Sequence, residues 1–386
     1  MQKYQIKFEN PFYALFLTLL LGVLVGLVTA GFLAALNWIA GFHAQQNVAF
    51  PWHLFLIPLV LGLSEWVRRH TLYFPIKVSE LRSPARPEQW SKKMSGLHFL
   101  GTLLSHVSGA SVGREGASVL YSAGFVRALG LQWFFWGPIV SSMGFAAVLG
   151  QYWVAPIFMF EFFQRTSVLQ KVLGLIGSTV AVLLIQSLGL PHLFSGIPVD
   201  SFVGGFWDKL LLLMILGISS GYLMRAYKAI HYRLIYFFEE RQFFWRLLFS
   251  LLLVGILFIP EFRKFQSLGL DQLNNLEHLQ AMWLDAPVKL SLTVLSVSLG
   301  LWGGEFIPLV YAGVHWGQSL FVSWGQSATL GALVGAYLLF AAATRMRWTS
   351  YALLLLTVGF SWWFWGWILI TFTLWFAGSR SLYRSH

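Results

Sequence analysis

The chain contains no cysteine, which excludes disulfides, thiolate metal sites and thiol catalysis. Charge is scarce as well: 11% of its 386 residues are Asp, Glu, Lys or Arg, against about 25% in soluble domains. Those four residue types are absent from Asn10 to Ser64, Met94 to Gly113, Ala128 to Phe160, Val172 to Val199, Phe306 to Thr344 and Trp348 to Ser379. A bilayer crossing takes about 20 apolar residues, so each run holds one span or two. Also missing are a Walker loop, a dinucleotide fingerprint, a His-Glu-x-x-His helix and a Gly-x-Ser-x-Gly elbow. No catalytic residue, resident metal or cofactor is therefore expected.

What is present is apolar: 57% hydrophobic residues and a mean hydropathy of +0.67. This composition predicts an all-α polytopic membrane protein lying in a lipid bilayer, with no soluble domain. The formal net charge of +11 does not point to nucleic acid, because the basic residues sit in connectors such as Arg68-Arg69, Arg82 to Lys93 and Arg225 to Arg246. Lys3, Lys7, Arg380 and Arg384 place both termini on the cytoplasmic side of a cell membrane. Nineteen Trp, clustered as at Trp362-Trp363 and Trp365, fit interfacial belts. The amino terminus is too charged, and its apolar run too long, for a cleaved signal peptide.

Apolar runs with their Gly and Pro punctuation predict helices near 11–40, 52–68, 97–109, 117–130, 134–149, 153–164, 169–190, 203–236, 244–260, 287–300, 308–322, 328–343, 350–360 and 362–378. Several are too short to cross a bilayer alone. Short, interrupted apolar segments in matching positions of two halves indicate broken helices meeting near mid-membrane. The halves match here. Thr102-Leu103-Leu104-Ser105 parallels Thr293-Val294-Leu295-Ser296, and Gly113-Arg114-Glu115 parallels Gly303-Gly304-Glu305. Each loop is followed by a Tyr, Tyr121 or Tyr311, and then a Gly, Gly124 or Gly313. Two repeats, 1–190 and 191–386, are therefore expected, each built of tilted and broken helices; chance similarity between Leu- and Gly-rich strings is the alternative.

The two loops carry the chemistry. A helix that begins inside the membrane exposes unpaired N–H groups carrying roughly half a positive charge, and such an end binds anions. Helices starting after Gly116 and around Pro308 have this form, since Pro suits a first turn and biases Ile307 before it to an extended shape. A carboxylate at this depth is expensive unless it serves ion or proton movement. Glu115 can occupy the anion site when ionised and vacate it when protonated, or it can simply pair with Arg114. Glu305 is a second loop acid with no adjacent base. Glu161, in Phe158-Met159-Phe160-Glu161-Phe162-Phe163, can pass protons to the interior or act as an interfacial acid near Arg165. His106 reads as a packed histidine more than a relay, and Tyr383 as a hydroxyl near the ion or an interfacial anchor. The segment Tyr227 to Arg246 reads as lying against the membrane surface.

At these residues the chain resembles the CLC family of chloride channels and anion/proton exchangers. The likeness rests on Gly109 to Gly124, with Gly113-Arg114-Glu115-Gly116 opening a helix, and on Gly303-Gly304-Glu305-Phe306-Ile307-Pro308. The run Gly101-Thr102-Leu103-Leu104-Ser105-His106 before the first loop, and the Glu after the second Gly-Gly, look most like the fluoride-exporting branch. The resemblance implies a homodimer of two inverted repeats per subunit, working as a voltage-gated chloride channel or an anion/proton antiporter for chloride or fluoride. It puts Glu115 at the gating-glutamate position and Glu161 at or next to the inner proton-transfer acid. Gly113, Arg114, Gly116, Ala117, Phe306, Ile307 and Tyr383 fall in its anion-binding surroundings. The chain departs from the family at Tyr73 to Leu81, which lacks the first loop's Gly-Ser-Gly-Ile-Pro form, and at Ile307, where the fluoride branch carries Thr. Gln151-Tyr152-Trp153-Val154 and Arg347-Trp348-Thr349-Ser350 replace two further turns.

The expectation is transmembrane transport of a small halide. A transport-inactive scaffold or regulatory subunit of the same fold is the alternative. An embedded enzyme using Glu115 and His106 as an acid/base pair lacks a nucleophile or metal cluster.

Overall fold

The computed structural model describes residues 11–46, 50–70, 77–82, 87, 90–163, 165–190, 192–194, 197–199, 201–273, 276 and 278–383. Lys3, Lys7 and Arg384, on which the orientation of the termini rests, lie outside these residues, as do positions 73–76 of the stretch that departs from the family.

Regular structure among the described residues is helical. In chain order the helices are α1 (Pro11–Gln46), α2 (Leu56–His70), α3 (Met94–Val107), α4 (Glu115–Ala128), α5 (Trp133–Leu149), α6 (Val154–Phe162), α7 (Val168–Ser187) and α8 (Phe206–Glu240). They continue as α9 (Phe243–Phe258), α10 (Leu270–Leu273), α11 (Asp285–Leu299), α12 (Phe306–Ser323), α13 (Ala328–Thr344), α14 (Arg347–Val358) and α15 (Trp363–Phe376). The chain is thus an all-α polytopic membrane protein. Three helices, at Pro11–Gln45, Val168–Ser187 and Phe206–Glu240, are long and apolar enough to span a bilayer. The others are shorter and stop at identifiable breaks. Gly150, at φ 72°, ends α5, and a Ser167–Gln170 capping box starts α7.

Two inverted repeats organise these elements. The long helices α1 and α8, of 36 and 35 residues, open the two sets. In order, α2, α3, α4, α5, α6 and α7 correspond to α9, α11, α12, α13, α14 and α15. The same partners touch in both sets: α1 lies on α7 as α8 lies on α15, and α4 lies on α5 as α12 lies on α13.

Small residues set how closely these pairs approach. In lipid no hydrophobic effect drives helix against helix, so close van der Waals packing over small residues takes its place. A Cβ on Gly22 would lie 2.7 Å from the Gly177 carbonyl oxygen, and one on Gly221 would lie 2.6 Å from Phe376 Cβ. The tightest seam is α12 on α13, where a Cβ on Gly317 would stand 2.1 Å from the Gly331 oxygen and one on Gly335 2.2 Å from the Gly313 oxygen. Both helices are almost wholly buried, and they carry the second loop on a rigid support.

Candidate functional site

Helix α3 ends at Gly109 (φ 83°) and α11 at Gly300 (φ 98°), left-handed positions that glycine adopts without strain. The same hydrogen bond closes each end, from Ala110 N to Ser105 O at 3.1 Å and from Leu301 N to Ser296 O at 3.3 Å. The two extended loops that follow meet. Gly113 N donates to Gly304 O at 2.5 Å and Gly304 N to Gly113 O at 2.7 Å, forming an antiparallel bridge between the repeats. Just beyond it the chain turns into α4 on one side and α12 on the other, so both helix N-termini open at one place.

This bridge corrects the register read from sequence. Gly113 is matched by Gly304, 191 positions on (304 − 113), rather than by Gly303. The cap residues Arg114 and Glu305 are therefore counterparts, and the first helical residues are Glu115 and Phe306. The Gly303-Gly304 pair offers two equivalent alignments, which is why the sequence alone selects the wrong one. Gly116 needs its small size, because a Cβ there would sit 3.0 Å from Gly304 Cα and 3.3 Å from Val78 Cγ2.

Glu115 is fully buried. Arg114 Nε donates to its Oε1 at 3.1 Å, so the ion pair weighed in the sequence does form. Oε2 is buried with no hydrogen-bond partner among the described residues. The first-turn N–H groups of α4 and α12 have no acceptor within their own helices and make the immediate surroundings electropositive. Ala117 and Ile307 are buried beside them, and Ile307 brings no hydroxyl.

Phe306 starts an aromatic chain. Its ring lies 4.5 Å from Phe340 and 5.8 Å from Phe145, and Phe145 stacks 4.4 Å from Phe158. Phe158 in turn stacks on Phe162 at 5.0 Å, and Tyr383 closes the set at 6.1 Å from Phe162 and 6.5 Å from Phe340. Tyr383 is buried and, with Glu305, Gly304, His231 and Ser79, lines a cavity of about 70 Å³. Its side chain lies in the protein interior, beside the second loop.

Glu305 has no adjacent base in the sequence, but it finds partners on α8. Tyr227 Oη donates to its Oε1 at 2.7 Å, and His231 Nδ1 stands 3.1 Å from the same oxygen. Both come from α8, and between them Lys228 gives its Nζ protons to the carbonyls of Ala342, Ala377 and Arg380 at 2.8–2.9 Å. Those carbonyls include the end of α13 and the cap of α15, so Lys228 fastens the tail that brings Tyr383 inward. The start of the Tyr227 to Arg246 segment is thus buried core, not membrane surface. The spacing of Tyr227, Lys228 and His231, one turn of a single helical face, is the signal that could have revealed it.

Glu161 does not pair with Arg165 but sits at the start of α14. It accepts from Trp348 N at 3.1 Å and from Thr349 N and Oγ1, each at 2.9 Å. The turn at Arg347 to Ser350, which departs from the family pattern, is what receives it. His106 Nδ1 lies 2.8 Å from Ser267 Oγ. It is a hydrogen-bonded core histidine, as the sequence suggests. Of the stretch Tyr73 to Leu81, the described part forms a 3-10 turn, Val78–Leu81, against α4.

Residues 75–373 match the family described as "Voltage gated chloride channel". A "Chloride/fluoride channel protein" of Pseudomonas syringae pv. tomato (strain ATCC BAA-871 / DC3000) is 26% identical over 343 residues, covering 80% of this chain and 72% of that protein. Among solved structures, a CLC-type fluoride/proton antiporter superposes with a TM-score of 0.82 at 21% identity, covering 99% of this chain and 98% of the other. A slow cyanobacterial Cl-/H+ antiporter gives a TM-score of 0.77 at 17% identity, covering 96% of each chain.

Proposed function

Since this chain belongs to the voltage gated chloride channel family, we propose that it moves chloride or fluoride across a cell membrane, with Glu115 as gate and proton acceptor. The observation that carries this reading is a buried carboxylate at the first turn of α4, where the two loops meet, with one oxygen held by Arg114 and the other unpartnered. When ionised, it competes with an anion for the two helix N-termini; when protonated, it can leave them. One side chain then couples anion occupancy to a proton.

Gly113, Arg114, Gly116, Ala117, Phe306, Ile307 and Tyr383 form the anion's surroundings, with backbone N–H groups as donors. Glu305 is held as a fixed second acid, and Glu161 serves protons from the inner side. The same reading divides the repeats at residues 190 and 191, between α7 and α8, and puts both termini in the cytoplasm. It also pairs two subunits through α6 and α14. There Trp153, Phe160, Trp348 and Phe360 are 51%, 59%, 45% and 78% exposed around an apolar cavity of about 640 Å³.

Liposome flux with the purified chain tests the proposal. Chloride or fluoride should leave loaded vesicles, and an imposed pH gradient should change the rate. Absence of flux for both anions would instead favour the transport-inactive scaffold.

A further inference from the structure

Glu65, on the last turns of α2, is buried at 8% exposure and is held by three guanidinium groups. Arg68 Nε and Nη2 reach its carboxylate at 2.7–3.0 Å, Arg69 Nε at 2.7 Å and Arg246 Nη1 at 3.2 Å. Arg246, itself buried, also donates to Phe238 O, so it joins the end of α8, the start of α9 and the end of α2. One carboxylate therefore meets three cations. Lys77 and Glu239 face each other at 3.7 Å, a pair that leaves the surplus in place.

That surplus sits on the two outer arginines. Arg68 is 48% and Arg69 63% exposed, and Arg69 reaches Glu65 through Nε only. Along α2, Leu59, Leu63 and Trp66 form an exposed apolar stripe that ends at this cluster, and α9 exposes Phe244, Leu248, Leu251 and Leu252 alongside. The junction thus presents planar cationic donors, fixed in place by a buried acid, at the head of a surface made for hydrocarbon.

We propose that this junction of α2 and α9 is a binding site for an anionic glycerophospholipid. Its phosphate would be held by Arg68 and Arg69 and its acyl chains would lie on the Leu59–Trp66 stripe. Guanidinium matches phosphate oxygens two at a time, which ammonium does not. Each basic residue near an anionic leaflet adds attraction, and here Glu65 removes the freedom that usually weakens exposed arginines. The acid is a positioning residue: it aims the arginines and carries none of the lipid contact.

Native mass spectrometry of the purified chain from mixed phosphatidylglycerol and phosphatidylcholine micelles tests this. Retained phosphatidylglycerol should exceed phosphatidylcholine, and R68Q/R69Q should lower that preference at least about tenfold. The double variant K92Q/K93Q, which removes the same charge from an exposed loop, should leave it unchanged. Millimolar inorganic phosphate should not displace the lipid. Equal retention of the two lipids, equal losses in the two double variants, or displacement by phosphate alone would each overturn the site.

Discussion

The long helices that open the two repeats, α1 and α8, begin alike and then diverge. Gly22 and Gly26 of α1 let α7 approach, and Gly217 and Gly221 of α8 do the same for α15, 195 positions on (217 − 22). At the same spacing, Phe32, Leu33 and Leu36 of α1 correspond to Tyr227, Lys228 and His231 of α8. All six are buried. The first trio packs as hydrocarbon, with Phe32 5.4 Å from Tyr121 and from Phe99. The second grips Glu305 and the ends of α13 and α15. One architecture has thus been given a greasy support on the side of Glu115 and a polar support on the side of Glu305. The first carboxylate keeps one oxygen without a partner among the described residues, and the second is held from α8.

The comparison can be broken most severely at Lys228. Lys228→Met strands the buried carbonyls of Ala342 and Ala377, and at about 1–3 kcal/mol for each lost partner the loss should exceed about 2 kcal/mol. Thermal unfolding in detergent should show a large drop, whereas Leu33→Met at the matching position of α1 should cost under about 1.5 kcal/mol. Equal drops in the two variants would remove the asymmetry.

Next in size is the loss of coupling expected at Glu115. Glu115→Gln should reduce proton-linked anion flux in liposomes by about 100-fold, equivalent to about 2.7 kcal/mol. Its unfolding temperature should hold or rise, because a sparsely partnered buried charge has been removed. Unchanged proton flux would end the gating role.

At the fixed acid the order should reverse. Glu305→Gln loses the charge-assisted bond from Tyr227 and the close approach of His231 and should destabilise by about 1.5–3 kcal/mol, with less effect on coupling than at Glu115. Tyr227→Phe removes that bond alone and should fall at the low end, near about 1.5 kcal/mol. The smallest change expected is Ile307→Thr. A hydroxyl beside the anion should shift the fluoride-to-chloride flux ratio by a few-fold, under about 1.4 kcal/mol, and leave unfolding nearly unmoved.

How much of this could be read beforehand follows from what each feature depends on. Apolar runs bounded by Gly and Pro set helix positions locally, so the predicted segments find every helix but the single turn α10; the 203–236 segment, for instance, is α8 at Phe206–Glu240. The bilayer enforces this, since backbone groups in lipid must bond within their own segment. The meeting of two broken helices was legible for the same reason. Register at the second loop was not, because Gly303 and Gly304 are interchangeable until a partner strand chooses between them. The Tyr227–His231 face was misread for a different reason. A fully buried lysine is rare unless paired, and the partners of Lys228 are carbonyls more than 100 residues away, as with Ala342. Glu161 was visible as an acid, but its acceptance of α14's first turn depends on a contact between the repeats.

The Gly113–Gly304 bridge has a mechanical consequence. Two short backbone hydrogen bonds rivet the two loops together where the N-termini of α4 and α12 open, and the interlocked glycines of α12 and α13 leave the second loop no room to slide. Rocking one half against the other would tear that rivet, so under the proposed function access to the two sides would fall to the Glu115 side chain within an otherwise stationary frame.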